Sequence, residues 1–359
     1  MTISATLDNT FRGEYKVPGG KLVRVEGAVQ DGVITAASVS GDFFIEPEEA
    51  LFDLNSALVG APADANTTDL VTRLGEGLRD GAQLSGFGLH DVAVAVRRGL
   101  GASSTWDEWT FDVIEPLVLP AAMHVALDEV IAEEVSSGTR PPTLRFWDWD
   151  DAIVVIGSFQ SVRNEIDEEA AARHHVGVVR RVTGGGAMFM EPGNCVTYSL
   201  VVPGSLVAGL SYEASYAYLD QWVIGALADV GVTAKFVPMN DIASDAGKIG
   251  GAAQRRLTDG TVLHHVTMSY DIDAVKMNEV LRIGREKLSD KGIRSAVKRV
   301  DPMRSQTGLP REAVIEAFIH HFMTVNHAQR SEYTADELAK AQALVATKFG
   351  TDEWTRRVA

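Results

Sequence analysis

The feature that most constrains this chain is a run of three glycines behind two arginines, Arg-Arg-Val-Thr-Gly-Gly-Gly-Ala-Met-Phe, at residues 180–189. Apolar segments at 176–179 and 196–202 flank it and predict buried strands, so the run should form a turn between them. Glycines lose much backbone freedom on folding, which favours a place where the backbone lies against a ligand. The N–H groups of such turns bind anions, and arginines donate to phosphate or carboxylate. The alternative interpretation is a structural hairpin with surface arginines.

Two common nucleotide-binding motifs are absent. No helical pattern follows the glycines, and Phe189 stands where the last glycine of G-x-G-x-x-G would be. Gly247-Lys248 is followed by Ile249 and lacks the earlier glycine of a P-loop. A nucleotide bound by this chain must therefore be held in another way.

Composition limits the function further. The 359 residues allow two or three domains, and the net charge of −16 argues against a nucleic-acid partner. The chain has one cysteine, Cys195, which excludes an intramolecular disulfide and fits a reducing compartment. Its first residues lack the features of a signal peptide, and no run of about 18 apolar residues predicts a membrane span. We therefore expect a cytoplasmic protein with no membrane partner.

The pattern of the first hundred residues predicts a small α+β domain. Two β-rich runs flank Asp31-Gly32, a strong hairpin signal, and helical patterns follow. The small, polar segment 99–105 is a predicted linker. From Trp106 onward, predicted strands and helices follow one another without strict alternation. A second hairpin is predicted at Asp259-Gly260, and one long helix is predicted over 212–230. We expect an α+β fold with a largely antiparallel or mixed sheet.

Few other residues suggest chemistry on their own. Lys248 lies among small residues on a predicted strand, where a ligand can press against the backbone; the alternative is a solvent-exposed strand lysine. Asn240-Asp241, just before it, is typical of a turn. A lone cysteine beside apolar residues, such as Cys195, is usually a small buried hydrophobe. The adjacent histidine pairs point to opposite strand faces, so we expect no shared metal.

Together these segments resemble the lipoate–protein ligase family, from about Trp106 to the C-terminus. The family's R-R-x-[ST]-G-G-G-A, N-D-[IL] and K-[IV]-[SG]-G-x-A-[QY] motifs are matched at 180–187, 240–242 and 248–254. Further matching segments occur in family order, at 144–160, 193–194, 264–267, 291–295 and 348–354. The resemblance implies an α+β, biotin/lipoate ligase-like mixed sheet with packed helices, in a catalytic domain spanning 106–359.

The first hundred residues resemble the ligase accessory domain. The matching segments are Gly-Gly-Lys-Leu-Val-Arg-Val at 19–25 and Gly-Asp-Phe-Phe at 41–44. In the best-known bacterial ligases this domain follows the catalytic one. Here we expect a small α+β accessory domain at 1–100, placed N-terminally.

The resemblance also implies the reaction and its participants. In the first step lipoate reacts with ATP, which is bound as its Mg²⁺ complex, to form lipoyl-AMP and pyrophosphate. In the second step the lipoyl group passes to a lysine of an acceptor protein, and AMP is released. The implied acceptors are lipoyl domains of 2-oxoacid dehydrogenase E2 subunits or the glycine cleavage H protein. Lys248 is implied to be catalytic by stabilising charge, and Arg181 to pair with phosphate. The implied ATP- and lipoyl-AMP-binding residues are Arg181, Thr183, Gly184, Gly185, Gly186, Ala187, Met188, Phe189, Asn240, Asp241, Lys248, Gly251, Ala252 and His265, of which Lys248, Gly185 and Gly251 are also implied to bind lipoate.

Departures from the family pattern leave other functions open. Met190-Glu191-Pro192 replaces H-D-x, Val266 replaces the glycine of H-H-G-T, and Gly250 stands where serine is common. We expect all three near the ligand groove. One alternative is an octanoyl or lipoyl transferase on the same fold, which carries a cysteine nucleophile. Cys195 is not near Asn240-Asp241, where that nucleophile is expected. The other alternative is a non-catalytic lipoate or lipoyl-adenylate binder.

Overall fold

The computed structural model describes residues 10–17, 19–101, 103–245, 247–282 and 302–359, so the matching segment at 291–295 lies outside the described residues. The chain forms two compact units. The first contains residues 1–105 and 205–218, and the second contains 106–204 and 219–359. The division at 105 falls at the end of the predicted linker, whereas the sequence did not predict that 205–218 would join the first unit.

The first unit is built on a small antiparallel sheet with helices packed against it. Its elements are β1 (Thr10–Lys16), β2 (Leu22–Gln30), β3 (Val33–Gly41), β4 (Phe44–Glu46), α1 (Ala50–Leu58), α2 (Thr67–Gly77), β5 (Gln83–Ser85) and α3 (Leu89–Leu100). β2 lies between β1 and β3. The predicted hairpin is confirmed: Asp31 and Gly32 join β2 to β3 at positive φ angles of 53° and 77°.

The second unit contains a large mixed sheet and a smaller one. Its described strands are β6 (Phe111–Val118), β7 (Thr143–Asp148), β8 (Ile153–Ile156), β9 (Gly177–Arg180), β10 (Met188–Met190), β11 (Cys195–Val202), β12 (Ala234–Val237), β13 (Asp241–Ser244), β14 (Lys248–Arg256), β15 (Val262–Ser269) and β16 (Ala328–Ser331). The large sheet has the order β12-β13-β14-β15-β11-β7-β6-β16, and the small sheet has the order β10-β8-β9. The β6–β7 and β6–β16 pairs are parallel, and the other pairs of the large sheet are antiparallel.

Helices cover these sheets. They are α4 (Ala121–Ser136), α5 (Val162–Glu165), α6 (Glu168–Arg173), α7 (Tyr212–Leu219), which begins in the first unit, α8 (Gln221–Asp229), α9 (Ala274–Val280), α10 (Met303–Thr307), α11 (Arg311–Val325), α12 (Ala335–Leu344) and α13 (Asp352–Thr355). The main core cluster joins α4 to both sheets. The predicted α+β class with a mixed sheet is confirmed. Within the described ranges, no helix is both long and apolar enough to cross a membrane.

The predicted single helix over 212–230 is wrong, because the structure breaks it into α7 and α8 at Asp220. Asp220 is fully buried, and its Oδ1 accepts a hydrogen bond from Tyr198 Oη at 3.1 Å and lies 2.6 Å from His264 Nε2. These tertiary contacts fix the backbone at Asp220, and the amphipathic pattern of the sequence does not reveal them.

Candidate active site

A cavity of about 220 Å³ is lined by both the glycine-rich turn and the large sheet. The predicted site residues that line it are Arg181, Gly186, Ala187, Met188, Asn240, Lys248, Gly251, Ala252 and His265. Met190, which the sequence analysis placed near the groove, also lines the cavity, and the lining residues that the sequence did not predict are Trp147, Val155, Thr197, Ala253 and Thr267. The structure therefore brings together three motifs that are far apart in the chain.

Arg181 holds the glycine-rich turn from inside. Its side chain is buried, and Nη2 donates to the carbonyl oxygens of Gly184 at 2.6 Å and Gly186 at 2.8 Å. Nε donates to Thr183 Oγ1 at 2.9 Å, and Nη1 donates to the Val155 carbonyl at 3.0 Å. The planar guanidinium thus shapes the turn. Phosphate pairing by Arg181, which the family resemblance implies, would compete with these bonds.

The three glycines of the turn differ in what they require. Gly185 has a φ of +88°, a left-handed conformation that side chains disfavour. Gly184 and Gly186 lie outside that region, and a Cβ added to either would meet no atom within 4 Å. Neither backbone conformation nor protein packing demands glycine at 184 and 186. A ligand that lies against the backbone at 184 and 186 would explain why both residues are glycine.

A chain of buried polar side chains connects the turn to helix α4. Thr183 Oγ1 lies 2.7 Å from His265 Nε2, and His265 Nδ1 lies 3.1 Å from Asp128 Oδ2. Arg145 Nη1 donates to Asp128 Oδ1 at 2.5 Å. Although Thr183 does not line the cavity, it links Arg181 to His265, which does.

The charge states in this chain follow from burial and neighbours. Burial raises the pKa of Asp128, but Arg145 and His265 outweigh it, so the pKa lies below its ordinary value and the carboxylate is ionised. Burial, aided by the nearby Arg181 and His264, lowers the pKa of His265, and together they outweigh the opposite effect of Asp128, so the ring is neutral at neutral pH. An ionised Asp128 places the proton of His265 on Nδ1, which leaves Nε2 to accept from the Thr183 hydroxyl.

Lys248 is placed quite differently from Arg181. Its Nζ lies 2.7 Å from Asp241 Oδ1, and its side chain is 50% exposed. The pair lies above Gly251, where an added Cβ would be 3.3 Å from Nζ. Asn240 Nδ2 donates to the Ala252 carbonyl at 2.6 Å, which ties the turn before β13 to β14. Lys248 can therefore move from Asp241 to a ligand without breaking a buried network.

The remaining lining residues lie mainly on strands. Thr197 on β11 donates through Oγ1 to Thr267 Oγ1 on β15 at 3.0 Å. Trp147 on β7 is fixed by its Nε1, which donates to Ser199 Oγ at 2.8 Å. The period-two pattern of β15 places Thr267 on the same face as His265, and that signal was available in the sequence. Trp147 and Thr197 could not be found in that way, because their position depends on the pairing of distant strands.

The departures from the family pattern do not all reach the cavity. Met190 lines it, as expected. Val266 is buried between the lining residues His265 and Thr267 and points to the opposite face of β15, so its side chain does not reach the cavity. Gly250 does not line the cavity either, and a Cβ there would lie 2.6 Å from Met268 Cγ. Strand packing therefore explains the glycine at 250.

Phe189 and Cys195 both face protein interior. The Phe189 side chain packs in a buried cluster beside Val154 and Ile156, so only its backbone is available for a ligand. Cys195 is fully buried, and burial raises the pKa of its thiol to about 12. A thiol in this environment is a poor nucleophile, because the reactive form is the thiolate.

The C-terminal segment holds the strand that leads into the turn. Arg180 is fully buried, and its Nε and Nη2 donate to the Thr355 carbonyl at 3.0 and 2.6 Å. Trp354 Nε1 donates in return to the Arg180 carbonyl at 2.9 Å. Among the described residues, no three His, Cys, Asp or Glu side chains converge to hold a metal ion.

Comparison with known proteins identifies the family. A sequence model of the lipoyl protein ligase A/B catalytic domain matches residues 120–323. Octanoyltransferase LipM of Kyrpidia tusciae is 33% identical over 264 residues, which are 66% of this chain and 95% of the relative. The probable lipoate-protein ligase A of Mycoplasma pneumoniae is 27% identical over 246 residues, which are 68% of this chain and 70% of the relative.

A solved structure agrees with the sequence matches. The bipartite lipoate protein ligase of the archaeon Thermoplasma acidophilum, described with its E2 lipoyl domain, superimposes with a TM-score of 0.62 at 27% identity. The match covers 70% of this chain and 98% of the archaeal one, which confirms the predicted biotin/lipoate ligase-like fold. Since the family match also covers more than half of the sequence, the chain belongs to the lipoyl protein ligase A/B catalytic domain family, which includes lipoate ligases and octanoyltransferases.

Proposed function

We propose that this protein is a lipoate–protein ligase. It uses ATP to convert lipoate into lipoyl-AMP and passes the lipoyl group to a lysine of an acceptor protein. The observation that carries the proposal is a single cavity lined by the half-exposed Lys248 and by a glycine turn that is open at Gly186. A carboxylate and a triphosphate repel each other, so their reaction needs a fixed cation where they meet.

The cavity suits the acid substrate. At about 220 Å³ it is smaller than the roughly 300 Å³ typical of the smallest drug-sized sites, so it fits a short acyl chain rather than a whole nucleotide. Trp147, Val155 and Met188 supply an apolar lining for that chain. The carboxylate would lie at Lys248, above the space that Gly251 leaves free.

The nucleotide would lie along the turn at 184–187. Its phosphates would approach the backbone where Gly184 and Gly186 leave space, and the backbone N–H groups would donate to them. In this proposal Arg181 contributes by fixing the turn, and Mg²⁺ accompanies ATP. Asp241 holds the Lys248 ammonium until the substrates bind.

The chemistry then needs two displacements. A carboxylate oxygen of lipoate attacks the α-phosphorus of ATP, and the bond to pyrophosphate breaks. The neutral amine of the acceptor lysine next attacks the acyl carbon of lipoyl-AMP, the bond to AMP breaks, and the amine loses a proton. Lys248 forms no covalent bond in either step and offsets the negative charge that develops.

The relatives named octanoyltransferase favour a second candidate function, acyl transfer from a carrier without ATP. Transferases that resemble this family form a thioester on a cysteine. The only cysteine of this sequence is Cys195, which is fully buried with a raised thiol pKa. The buried thiol cannot easily reach a substrate, whereas the half-exposed Lys248 can. This difference supports the ligase over the transferase.

We also propose roles for the first unit and for the partner. Residues 1–100 would be the ligase accessory domain in an N-terminal position, and 106–359 would be the catalytic domain. The acceptor would be a lipoyl domain of an E2 subunit or the H protein. The archaeal neighbour, a ligase described with its E2 lipoyl domain, supports this class of acceptor.

Pyrophosphate release tests the proposal most directly. The full chain is incubated with Mg-ATP, with and without lipoate or octanoate, and without any acceptor. We expect release that depends on the acid. If the folded protein binds the acid but releases no pyrophosphate, and instead transfers octanoyl groups from an acylated carrier domain, the transferase replaces the ligase.

A further inference from the structure

If the proposed function is correct, a second protein must bring its lysine amine to the cavity. We propose that Phe159 anchors the surface on which that acceptor lipoyl domain docks. This inference rests on the proposed function, and it adds a place of contact to it. Three observations support it: the exposure of the side chain, the rigidity of its backbone and its position beside the cavity.

Phe159 is 81% exposed, more than any other large hydrophobic side chain in the described part of the chain. Single exposed hydrophobic residues are common on protein surfaces, so exposure alone identifies nothing. A phenylalanine in that position nevertheless offers a large apolar area that a partner can bury.

The backbone that carries Phe159 is held rigidly. Arg180 Nη1 donates to the carbonyls of Gly157 at 2.9 Å, Ser158 at 3.1 Å and Gln160 at 2.6 Å. Gln160 Oε1 accepts in turn from the Gly157 N–H at 2.8 Å. An exposed aromatic residue on a fixed turn is a preorganised contact, because little backbone freedom remains to be lost on binding.

A second arginine strengthens this turn from the C-terminal segment. Arg357 Nη2 donates to the Ser158 carbonyl at 3.0 Å and to Ser158 Oγ at 2.5 Å. Its guanidinium also lies 3.9 Å above the ring of Trp354. The residues on both sides of Phe159 are therefore bonded, while its own ring is left in solvent.

Phe159 also lies beside the cavity. The Ser158 N–H donates to the Thr183 carbonyl at 2.8 Å, and Gly157 packs so closely on Gly185 that a Cβ would lie 2.2 Å from the Gly185 oxygen. The turn that carries Phe159 therefore packs directly against the glycine turn that lines the cavity. On the other wall, Met239 is 64% exposed and directly precedes Asn240, which lines the cavity.

The chemistry identifies the occupant of this surface. The acyl-adenylate would be held in the cavity, so the acceptor lysine must reach in while the rest of its domain stays outside. Such a domain necessarily contacts the residues around the opening. We therefore assign Phe159 to the contact with an acceptor domain that presents its lysine to the cavity, and Met239, next to the lining residue Asn240, to a weaker contact with the same domain. Met239, with a flexible side chain, would adapt to its shape.

The test separates docking from chemistry with the variant Phe159→Ala. Pyrophosphate release from Mg-ATP and lipoate is measured without acceptor. Transfer is measured separately, from isolated lipoyl-AMP to an E2 lipoyl domain with an unmodified lysine. We expect unchanged pyrophosphate release and a KM for the lipoyl domain raised about tenfold or more, as for loss of an interface anchor. Met239→Ala should raise that KM less.

Val118→Ala is a matched control. Val118 is 55% exposed on β6, and the strands β7, β11 and β15 separate β6 from β14. This variant should leave both half-reactions unchanged. An equal rise in KM for Val118→Ala would mean that the effect is not specific to the cavity opening and would overturn the proposal.

Other outcomes identify a different occupant. If Phe159→Ala raises the KM for ATP and leaves that for the lipoyl domain, Phe159 belongs to the nucleotide site. If it changes the sedimentation behaviour of the protein, Phe159 lies in a contact between copies of this chain. Either result overturns the docking proposal. If the parent protein releases no pyrophosphate, calorimetry of binding to the unmodified lipoyl domain still tests docking, since weaker binding by Phe159→Ala supports it and equal binding refutes it.

Discussion

The two walls of the cavity carry their positive charges in opposite ways. On the glycine-turn wall, Arg181 is buried and donates to Val155, Thr183, Gly184 and Gly186. On the opposite wall, Lys248 is half exposed and contacts a single carboxylate, Asp241. The guanidinium of Arg181 is used in hydrogen bonds within the protein, whereas the ammonium of Lys248 can exchange Asp241 for another partner. In the proposed mechanism, Arg181 therefore shapes the site and Lys248 meets the charge of the substrates.

This difference explains why the residue types differ. A guanidinium offers several donors in a fixed plane, which suits a turn with many carbonyl acceptors. An ammonium on a flexible stem is a compact charge that can turn toward a new partner. The comparison predicts that changes on the Lys248 wall affect the reaction, whereas changes on the Arg181 wall affect the fold as well.

The largest effect is expected from Lys248→Ala. Loss of one preorganised charge at a reacting centre typically costs about 10²–10³-fold in rate, and an exposed side chain contributes little to the fold. Acid-dependent pyrophosphate release should fall by that factor, with an unchanged circular dichroism spectrum. Lys235→Ala is the control, because Lys235 is also exposed and paired with a carboxylate, Asp245, but does not line the cavity. Release at the parental rate in Lys248→Ala would refute the assigned role.

Arg181→Lys tests the other wall. A lysine keeps the charge but cannot replace the fork of donors, so carbonyl groups of Val155, Gly184 and Gly186 lose their partners. The Val155 carbonyl lies in the buried interior, and a buried polar group that loses its partner typically costs about 1–3 kcal/mol. The carbonyls of Gly184 and Gly186 are only partly buried and can bond to water instead. We therefore expect a loss of unfolding free energy on the order of 2 kcal/mol in urea titrations. An unchanged stability with reduced ATP binding would instead favour direct phosphate pairing by Arg181.

Acidification should weaken the buried chain that supports the turn. The unfolded chain protonates His265 near pH 6.5, whereas burial lowers the pKa of this ring in the folded protein. Between these two pKa values the unfolded state binds more protons, so stability falls as pH falls, by up to about 1.4 kcal/mol per pH unit. His124, whose pKa burial lowers to about 3, adds the same trend.

Urea unfolding between pH 7.5 and 5.5 measures this dependence. His265→Gln should reduce the slope and leave the part due to His124. Asp128, Thr183, Arg181 and Trp147 face the His265 ring. None of these four groups changes charge between pH 7.5 and 5.5, because the pKa of Asp128 is lowered and an arginine stays protonated. A slope identical to that of the parent would show that His265 does not contribute.

A smaller effect is expected from adding one methyl group to each wall. Gly186→Ala meets no protein atom and should leave stability unchanged while raising the KM for ATP severalfold. Gly251→Ala places a Cβ 3.3 Å from Lys248 Nζ and should lower kcat rather than affect ATP binding. Steady-state pyrophosphate assays distinguish the two. Interchanged effects would reverse our assignment of nucleotide and acid to the two walls.

The smallest effect is expected from Cys195→Ala. The thiol is fully buried and its pKa is raised to about 12, so it should not take part in the reaction. Lipoyl transfer to a lipoyl domain should continue at the parental rate. A correctly folded variant that has lost transfer would favour the thioester mechanism.

The sequence predicted the parts of the site that lie in continuous motifs. The turn at 180–189, the pair Asn240-Asp241 and the strand of Lys248 all contribute to one region, and the hairpin at Asp31-Gly32 is present. Local signals predicted the turns and strands, because turn chemistry and strand patterns act over a few residues, whereas the grouping of these segments into one site came from the family resemblance. The task of Arg181 was not predictable, since it depends on which carbonyl groups face its side chain.

The sequence also did not predict the contacts between polar residues that are far apart in the chain. Asp128 and Arg145 belong to the site only through a helix and a strand that fold against His265. The break at Asp220 depends on Tyr198 and His264, both distant in sequence. Buried polar partners of this kind leave no periodic trace, whereas amphipathic faces do.

The return of residues 205–218 to the first unit makes the two units interleaved rather than joined end to end. Arg98 donates to the Leu206 carbonyl at 2.9 Å, and its guanidinium lies 4.8 Å above the ring of Tyr218. The chain crosses between the units after residues 105, 204 and 218. A single cut at the linker would therefore not release a self-contained catalytic fragment, because residues 205–218 would lose the surface against which they fold.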